Sequence, residues 1–440
     1  MGKYNYIPSS KDEQKEILNI LGLTSVEELF EEIPEELKIK ELNIPSGKSE
    51  VEVRRIMESL AKKNQVFSSI FRGAGSYNHY IPSIVKQITS KEEFLTAYTP
   101  YQAEISQGIL QSIFEFQTMV TELTGLPVSN ASVYDGSSAA AEAVNMCIDR
   151  RRKKALVSAT SHPMTIQTIQ TYCHAMGTEV VIVPAKDGVT DKEALVSLMD
   201  EGTACFYVEQ PNFYGCLEEC EVISELVHEN KSKMIMGINP ITTAVLKTPF
   251  ECGADIATGE GQPLGLPMNF GGPYLGFMAT TEKMMRKLPG RIVGQTVDKD
   301  GERAFVLTLQ AREQHIRREK ASSNICSNQA HCALTASVYL SAMGPNGLRE
   351  VAEQCYSKAH YLQVRLAEIG GFDLVYSSEF FHEFVTTTPI EATELTKKLQ
   401  EKGVLGGLPV EGNLLWCVTE LCQKEDIDQL VSTLKEVTNG

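Results

Sequence analysis

Six short apolar runs in the middle of the chain constrain its fold more than any other feature: ALVSA at 155–159, EVVIV at 179–183, ACFYV at 204–208, MIMGI at 234–238, ADIAT at 254–258 and YLGFMA at 274–279. None alternates apolar with polar residues, so none has a face to offer to water. Strands of this kind are buried on both faces. Helical segments lie between them, and strands joined through helices build a mostly parallel sheet. The expected class is α/β.

The flanks read differently. Residues 1–63 carry two charged amphipathic stretches, 11–21 and 49–63, separated by the proline-marked segments EEIPEEL and NIPSGKSE, and are expected to form an N-terminal helical extension. Ile105, Ile109, Ile113, Phe116, Val120 and Leu123 recur at helical spacing and predict one buried stripe of a long helix. Past residue 330 the pattern gives a helix at 327–342, a break at MGPNGL, a helix through 346–369 and a mixed tail. The expected organisation is therefore an extension (1–63), a large α/β domain (64–330) and a small C-terminal α+β domain (331–440).

Composition narrows the function. Forty-one Lys and Arg against 57 Asp and Glu leave a net charge of −16, which opposes general binding to nucleic acid or an anionic membrane. No apolar run approaches the roughly 20 residues that cross a bilayer and no signal peptide is visible, so a cytoplasmic location is expected. The eleven cysteines contain no CxxC pair. The closest two, Cys216 and Cys220, are read as reduced thiols, and no metal site is expected.

Two segments carry chemistry. YDGSSAAAEA (134–143) is a glycine turn opening a small-residue helix, where backbone N–H groups and hydroxyls can form an anion cup. The plainer reading is a helix capped by Ser137 or Ser138. GADIATGEGQPLGLPMNFGGPYLGFMA (253–279) has the layout strand, glycine-rich loop, strand. It resembles the segment of fold-type-I pyridoxal-phosphate enzymes in which the strand ends in a Ser-x-His-Lys sequence and the Lys binds the cofactor. Here no Lys occurs between Lys247 and Lys283, and Gln262 stands at the matching position. Upstream, the acid expected to pair with the pyridinium nitrogen is replaced by Asn239. The segment reads as a dead copy of a cofactor site.

The stretches at 97–125, 130–143, 209–218, 259–277 (GEGQPLGLPMNFGGPYLGF) and 289–330 (PGRIVGQTVDKDGERAFVLTLQAREQHIRREKASSNICSNQA) resemble the glycine cleavage system P-protein family, specifically the N-terminal half that in many bacteria is a separate chain. The resemblance implies a large domain of fold type I and a cofactor-less α subunit. A paralogous subunit 2, assembled with it as α2β2, carries the pyridoxal phosphate. Together they decarboxylate glycine and pass the aminomethyl group to the lipoyl arm of the H-protein. It further implies that this chain's residues reach into the partner's site.

Candidates follow from that expectation. Residues 286–320 hold nine Lys and Arg against five Asp and Glu, a local +4 that suits an anion, although Arg317, Arg318, Glu319 and Lys320 also fit a solvated face. Ser322, Ser323 and Asn324 are candidates to hold the partner's cofactor phosphate, the plain alternative being a helix cap before SNQAHCAL. In RGAGSYNHYIP (72–82) and TAYTPYQAE (96–104), Gly73 and Gly75 permit close backbone approach. His79, Tyr98 and Tyr101 are candidates to line the shared site, with Tyr77 and Tyr80 as further donors. His162 sits where a ring stacks on a cofactor in a working copy and is read as vestigial, and His315 as exposed beside Arg312. Two other functions compete: an interaction scaffold, and an autonomous pyridoxal-phosphate enzyme using Lys320.

Overall fold

The computed structural model of the chain describes residues 9–39, 43–97, 99–269 and 271–439. The chain divides into two compact units, Met1–Gln65 and Val66–Gly440. In the first, helices α1 (Lys11–Leu21) and α2 (Glu50–Ala61) each open on a capping box. Ser10 accepts from the Glu13 N–H while Glu13 accepts from the Ser10 N–H, and Ser49 with Glu52 repeats the arrangement. Reciprocal caps of this kind satisfy orphan donors that no packing supplies here. Neither helix buries a side chain, and Ile20, Leu21, Val51 and Met57 are exposed.

The second unit is built on a seven-stranded sheet. Its elements run α3 (Gln107–Thr124), β1 (Val128–Ser129), α4 (Gly136–Cys147), β2 (Lys154–Ser158), α5 (Pro163–Met176), β3 (Glu179–Val183), β4 (Thr203–Gln210), β5 (Lys233–Ile238), β6 (Ile256–Glu260) and β7 (Gly276–Thr280). The spatial order is β1-β7-β6-β5-β4-β2-β3. All neighbours from β6 through to β3 pair in parallel, and β7 runs antiparallel to both β6 and β1. Non-alternating apolar sequence has its expected cause. Ala155, Val157, Tyr207, Ile235 and Ile256 pack with the alanines of α4 on one face, and Leu156, Phe206, Val208, Met234 and Met236 pack on the other.

Two register expectations shift. Helix α3 begins at Gln107, so Ile105 lies ahead of it and is 78% exposed. The chain turns just before the helix, with both Ile105 and Ser106 donating their N–H groups to the Gln102 carbonyl, and the buried stripe starts at Ile109. The ADIAT strand begins two residues late, at Ile256, because Asp255 is drawn off to accept from His228, Lys233 and the Met234 N–H.

A hairpin, β8 (Val293–Val297) with β9 (Arg303–Leu307), follows the sheet. Then comes α6 (Ala330–Ala367), kinked where the sequence reads MGPNGL, with Gly344 at φ 61, ψ −179 and Pro345 after it. The last part is a three-stranded antiparallel sheet of β10 (Glu383–Thr386), β11 (Leu408–Val410) and β12 (Asn413–Cys417), ordered β10-β12-β11 around the fully buried Trp416. No helix among the described residues is long and apolar enough to cross a membrane.

Candidate active site

Parallel strands leave a crevice at their carboxyl ends, where ligands of α/β proteins bind. Here the ends of β4, β5 and β6, the N-termini of α4 and α5, and the loop 74–77 enclose a cavity of about 680 Å³. Gln262 lies just past β6, 1% exposed. Its Oε1 accepts from the Tyr77 N–H at 2.8 Å, and its Nε2 donates to the carbonyls of Tyr77 at 2.9 Å and Leu266 at 2.8 Å. The Gln262 side chain thus ties the loop down as a backbone partner would.

The anion cup at the start of α4 is filled from within. Glu260 accepts from the N–H groups of Gly136 (3.0 Å), Leu275 (2.9 Å) and Gln262 (2.9 Å), and burial pushes its carboxyl up to about 7 against the pull of those donors. The cap of α4 is Asp135, whose carboxylate accepts from the Ser138 N–H at 2.7 Å; neither Ser137 nor Ser138 caps it, because the helix starts earlier than the serines. Two carboxyl groups therefore stand where a phosphate would be received. Asn239 accepts from the Ile241 N–H through Oδ1, and its buried Nδ2 has no partner among the described residues. With no Lys among the described residues that line it, an uncharged Asn239 and Glu260 in the cup, the pocket does not fit covalently held pyridoxal phosphate.

His162 caps α5, and both its ring nitrogens are engaged. Nδ1 accepts from the Met164 N–H (3.2 Å) while Nε2 donates to the Ala74 carbonyl (3.0 Å), which is the neutral tautomer. The loop 74–77 crosses over that ring: a Cβ on Gly75, at φ +97, would lie 3.0 Å from Nε2. A second buried acid, Glu383 of β10, fastens the same loop by accepting from the Ala74 N–H (2.7 Å) and the Tyr77 hydroxyl (2.8 Å). Burial pushes Glu383 up to about 7. A Cβ on Gly73 would meet its Oε1 at 2.6 Å. Burial also raises Glu209, which accepts from the Tyr207 hydroxyl and the His162 N–H.

The other candidates lie elsewhere. His79 is buried against Glu420, Nδ1 to Oε2 at 2.7 Å, next to Cys355, and is not among the residues lining the cavity. Glu420 also accepts from the Tyr80 N–H. His382, close by and buried, is pushed down to about 3 by burial and by the charge of His79. The Tyr101 hydroxyl donates to Asn328 Oδ1 at 2.6 Å, and the Arg291 guanidinium stands 4.8 Å over its ring. This brings together the two stretches named from sequence, TAYTPYQAE and 286–328. Tyr98 lies outside the described residues.

Ser323 sits between the surface and α4. Its hydroxyl bonds Glu142 Oε1 at 2.9 Å and accepts from the Ile325 N–H at 3.1 Å. Ser322 and Asn324 are exposed, and Ser322 lines a small cavity of about 110 Å³ with Glu142, Asn145 and Lys287. None of the three caps a helix: α6 starts at Ala330 after Gln329, with no side-chain cap. Within the basic stretch Arg291 pairs with Glu313, and Arg312 donates to the carbonyls of Leu288 and Gly290. His315 is half-exposed and pairs with Glu313 at 3.4 Å. Arg317, Arg318, Glu319 and Lys320 are all exposed, and Lys320 does not line the cavity. All eleven cysteines are free thiols, and only Cys326 is exposed.

Two buried acids, Glu142 and Glu383, and three half-buried ones, Glu209, Glu260 and Glu420, escaped the sequence reading. The available signals were a lone Glu in the alanine run of α4 and an acid at the end of an apolar strand, as in TGE at 258–260 and CVTE at 417–420.

The family model of the glycine cleavage system P-protein matches residues 4–434. A probable glycine dehydrogenase (decarboxylating) subunit 1 from Carboxydothermus hydrogenoformans is 51% identical over 98% of this chain and 99% of its own length. Its counterpart from Moorella thermoacetica is 49% identical over the same shares. Among solved structures, a glycine decarboxylase (P-protein) of the glycine cleavage system in inhibitor-bound form superposes with a TM-score of 0.92 at 40% identity, covering 98% of this chain and all of the other. A sphingosine-1-phosphate lyase from Burkholderia pseudomallei, 13% identical with a TM-score of 0.68, shares the fold alone over 92% of this chain and 93% of its own. The sheet order, the degenerate pocket and these matches agree: the chain belongs to the glycine cleavage system P-protein family and has the type-I fold of pyridoxal-phosphate enzymes.

Proposed function

We propose that this chain is the subunit of a glycine-decarboxylating enzyme that holds no pyridoxal phosphate of its own and completes the site of a paralogous partner that does. One observation carries the reading. The positions that would anchor the cofactor are Gln262 and Asn239, and the N–H group at the start of α4 is occupied by Glu260. An amide is no nucleophile, and an uncharged side chain cannot keep a pyridinium protonated. The relatives' name, subunit 1, supports a second subunit. The assembly is read as a cytoplasmic α2β2 tetramer in which this chain comprises an arm (1–63), a large domain (64–330) and a small domain (331–440).

In that assembly the electron-sink chemistry belongs to the partner's cofactor. This chain contributes walls and donors. Ser322, Ser323 and Asn324 reach the partner's cofactor phosphate, and the stretches around His79, Tyr98 and Tyr101 border the shared site. The aminomethyl group then leaves on the lipoyl arm of the H-protein. The exposure of Ser322 and Asn324 supports their availability to a partner, and the placement of Lys320 outside the cavity gives no support to an autonomous enzyme.

The test is exchange of labelled bicarbonate with the glycine carboxyl, H-protein present, for each subunit alone and for the mixture. Only the mixture is expected to be active. A partner that alone matches the mixture overturns the reading. Loss of one donor to the charged phosphate is expected to weaken cofactor retention about ten- to a hundredfold.

A further inference from the structure

Ser323 has one hydrogen to give, and its neighbours decide where it points. Its oxygen already accepts from the Ile325 N–H. Glu142, 2% exposed, stands 2.9 Å away on α4. If Glu142 is ionised it can only accept, so the Ser323 hydrogen is committed inward and the hydroxyl cannot donate to an anion outside. If Glu142 carries a proton, its own O–H can fill the second lone pair of Ser323 and release the serine hydrogen outward.

We propose that Glu142 is a positioning residue whose own proton is donated to Ser323, turning the Ser323 hydroxyl toward the anionic group held by the partner subunit. The inference rests on the reading above that Ser323 contacts the partner's cofactor phosphate. The surroundings of Glu142 favour the neutral form. The strands beneath α4 present Ile235, Ile256 and Met278, and Cys173 of α5 and Cys205 of β4 lie in the same apolar layer. The titratable groups facing it are Tyr172 of α5 and, across the small cavity, Lys287; Asp135, at the start of its own helix, acts on Tyr172. The Lys287 ammonium is turned to the Met146 carbonyl at 2.9 Å, and no ion pair among the described residues holds the Glu142 carboxylate. In the same small cavity the buried Oδ1 of Asn145 has no partner among the described residues. Burial pushes Glu142 up to about 7, against the opposing hydrogen bond of Ser323. The neutral carboxyl is thus within reach near neutral pH, and an approaching phosphate makes it more so.

The test uses the assembled complex of this chain with its partner and follows retention of pyridoxal phosphate from pH 6 to pH 8. The partner's own pH dependence is common to every variant and cancels in ratios. Glu142→Gln supplies a permanent N–H donor in the same place. Wild type and E142Q are expected to match at pH 6, with wild type weaker by about tenfold at pH 8, one unit above the midpoint. Ser323→Ala is expected to be weak at both. Parallel profiles for wild type and E142Q, with S323A weak throughout, overturn the role of Glu142 and leave the serine contact standing. S323A retention equal to wild type at pH 6, where the serine hydrogen is free to point outward, overturns the contact itself, and the inference with it. Should E142Q fail to fold, proton uptake on binding pyridoxal phosphate at pH 8, measured by calorimetry in two buffers, decides the matter. Wild type is expected to take up more protons than S323A, and equal uptake overturns the proposal.

Discussion

At the scale of single residues, Gln262 shows how one buried amide holds a loop in place. Its amide satisfies the Tyr77 backbone in both directions, so Gln262→Lys removes the acceptor of one N–H and reworks the donors of two carbonyls. Each buried backbone group left unpaired costs about 1–3 kcal/mol. We expect Q262K to be less stable than wild type by roughly 2 kcal/mol in urea unfolding, and to give no borohydride-trapped pyridoxal-phosphate adduct by mass spectrometry. A stoichiometric adduct at residue 262 would contradict the second expectation. Glu383 and Glu260 look alike, both pushed up to about 7, yet should respond differently to amide replacement. Glu383 faces one N–H and one hydroxyl, and the Tyr77 hydroxyl can turn to accept from an amide. Its raised carboxyl contributes stability that is complete below the unfolded value near 4.5 and is lost as pH rises toward 7. Glu383→Gln is therefore expected to be more stable than wild type at pH 8, by about 1–3 kcal/mol, with the gain disappearing near pH 5. Glu260 faces three N–H donors, so Glu260→Gln sets an amide against one of them and should destabilise by about 1–3 kcal/mol at either pH.

At the scale of elements, apolar runs are legible because burial on both faces leaves a mark that survives without tertiary detail. EVVIV at 179–183 is the β3 strand residue for residue, and MIMGI at 234–238 falls inside β5. Element ends are less legible, since they depend on single polar groups. Asp255 delays β6, Asp135 moves the start of α4 ahead of its serines, and the turn at Gln102 leaves Ile105 outside α3. The absence of any Lys between Lys247 and Lys283 was legible from the sequence alone, and the crevice at the strand ends has no Lys among its described lining residues. The site was illegible where distant segments meet, because the pairing of Glu383 with residue 74, or of Glu142 with Ser323, has no local signature. The kink of α6 belongs to this scale. Gly344 combines a positive φ with ψ near 180°, a region open essentially to glycine, and a Cβ there would meet nothing within 4 Å. The cost of Gly344→Ala is then purely conformational, about 1–3 kcal/mol, and should appear as a lower Tm of the chain. An unchanged Tm would mean that the kink relaxes.

At the scale of the whole molecule, two contributions to stability run the same way with pH. Glu142, Glu260 and Glu383 are each pushed up to about 7 by burial, so each favours the folded state less as pH climbs from 4.5 toward 7. A net charge of −16 adds self-repulsion as the remaining carboxylates ionise. We expect the Tm of the isolated chain to fall between pH 5.5 and pH 8, with added salt recovering part of the loss at pH 8 by screening the surface term. A Tm that rises over this interval would mean that the opposing term of His382, pushed down to about 3 and so favouring the folded state more as pH rises through 6.5, outweighs the buried acids.

The carboxylate of Glu260 in the mouth of α4 also bears on history. A cofactor site that had lost only its lysine could be restored by one codon. Here a lysine returned at 262 meets Glu260 two residues away, a phosphate returned to the cup meets the same carboxylate, and the acid at 239 is still absent. Each single reversion leaves the pocket no better at holding the cofactor, and the one at 262 also unties the loop at Tyr77. Selection has no uphill path back through such intermediates. The helix cup closed by its own side chain therefore acts as a ratchet, keeping this pocket from regaining a phosphate by any single step.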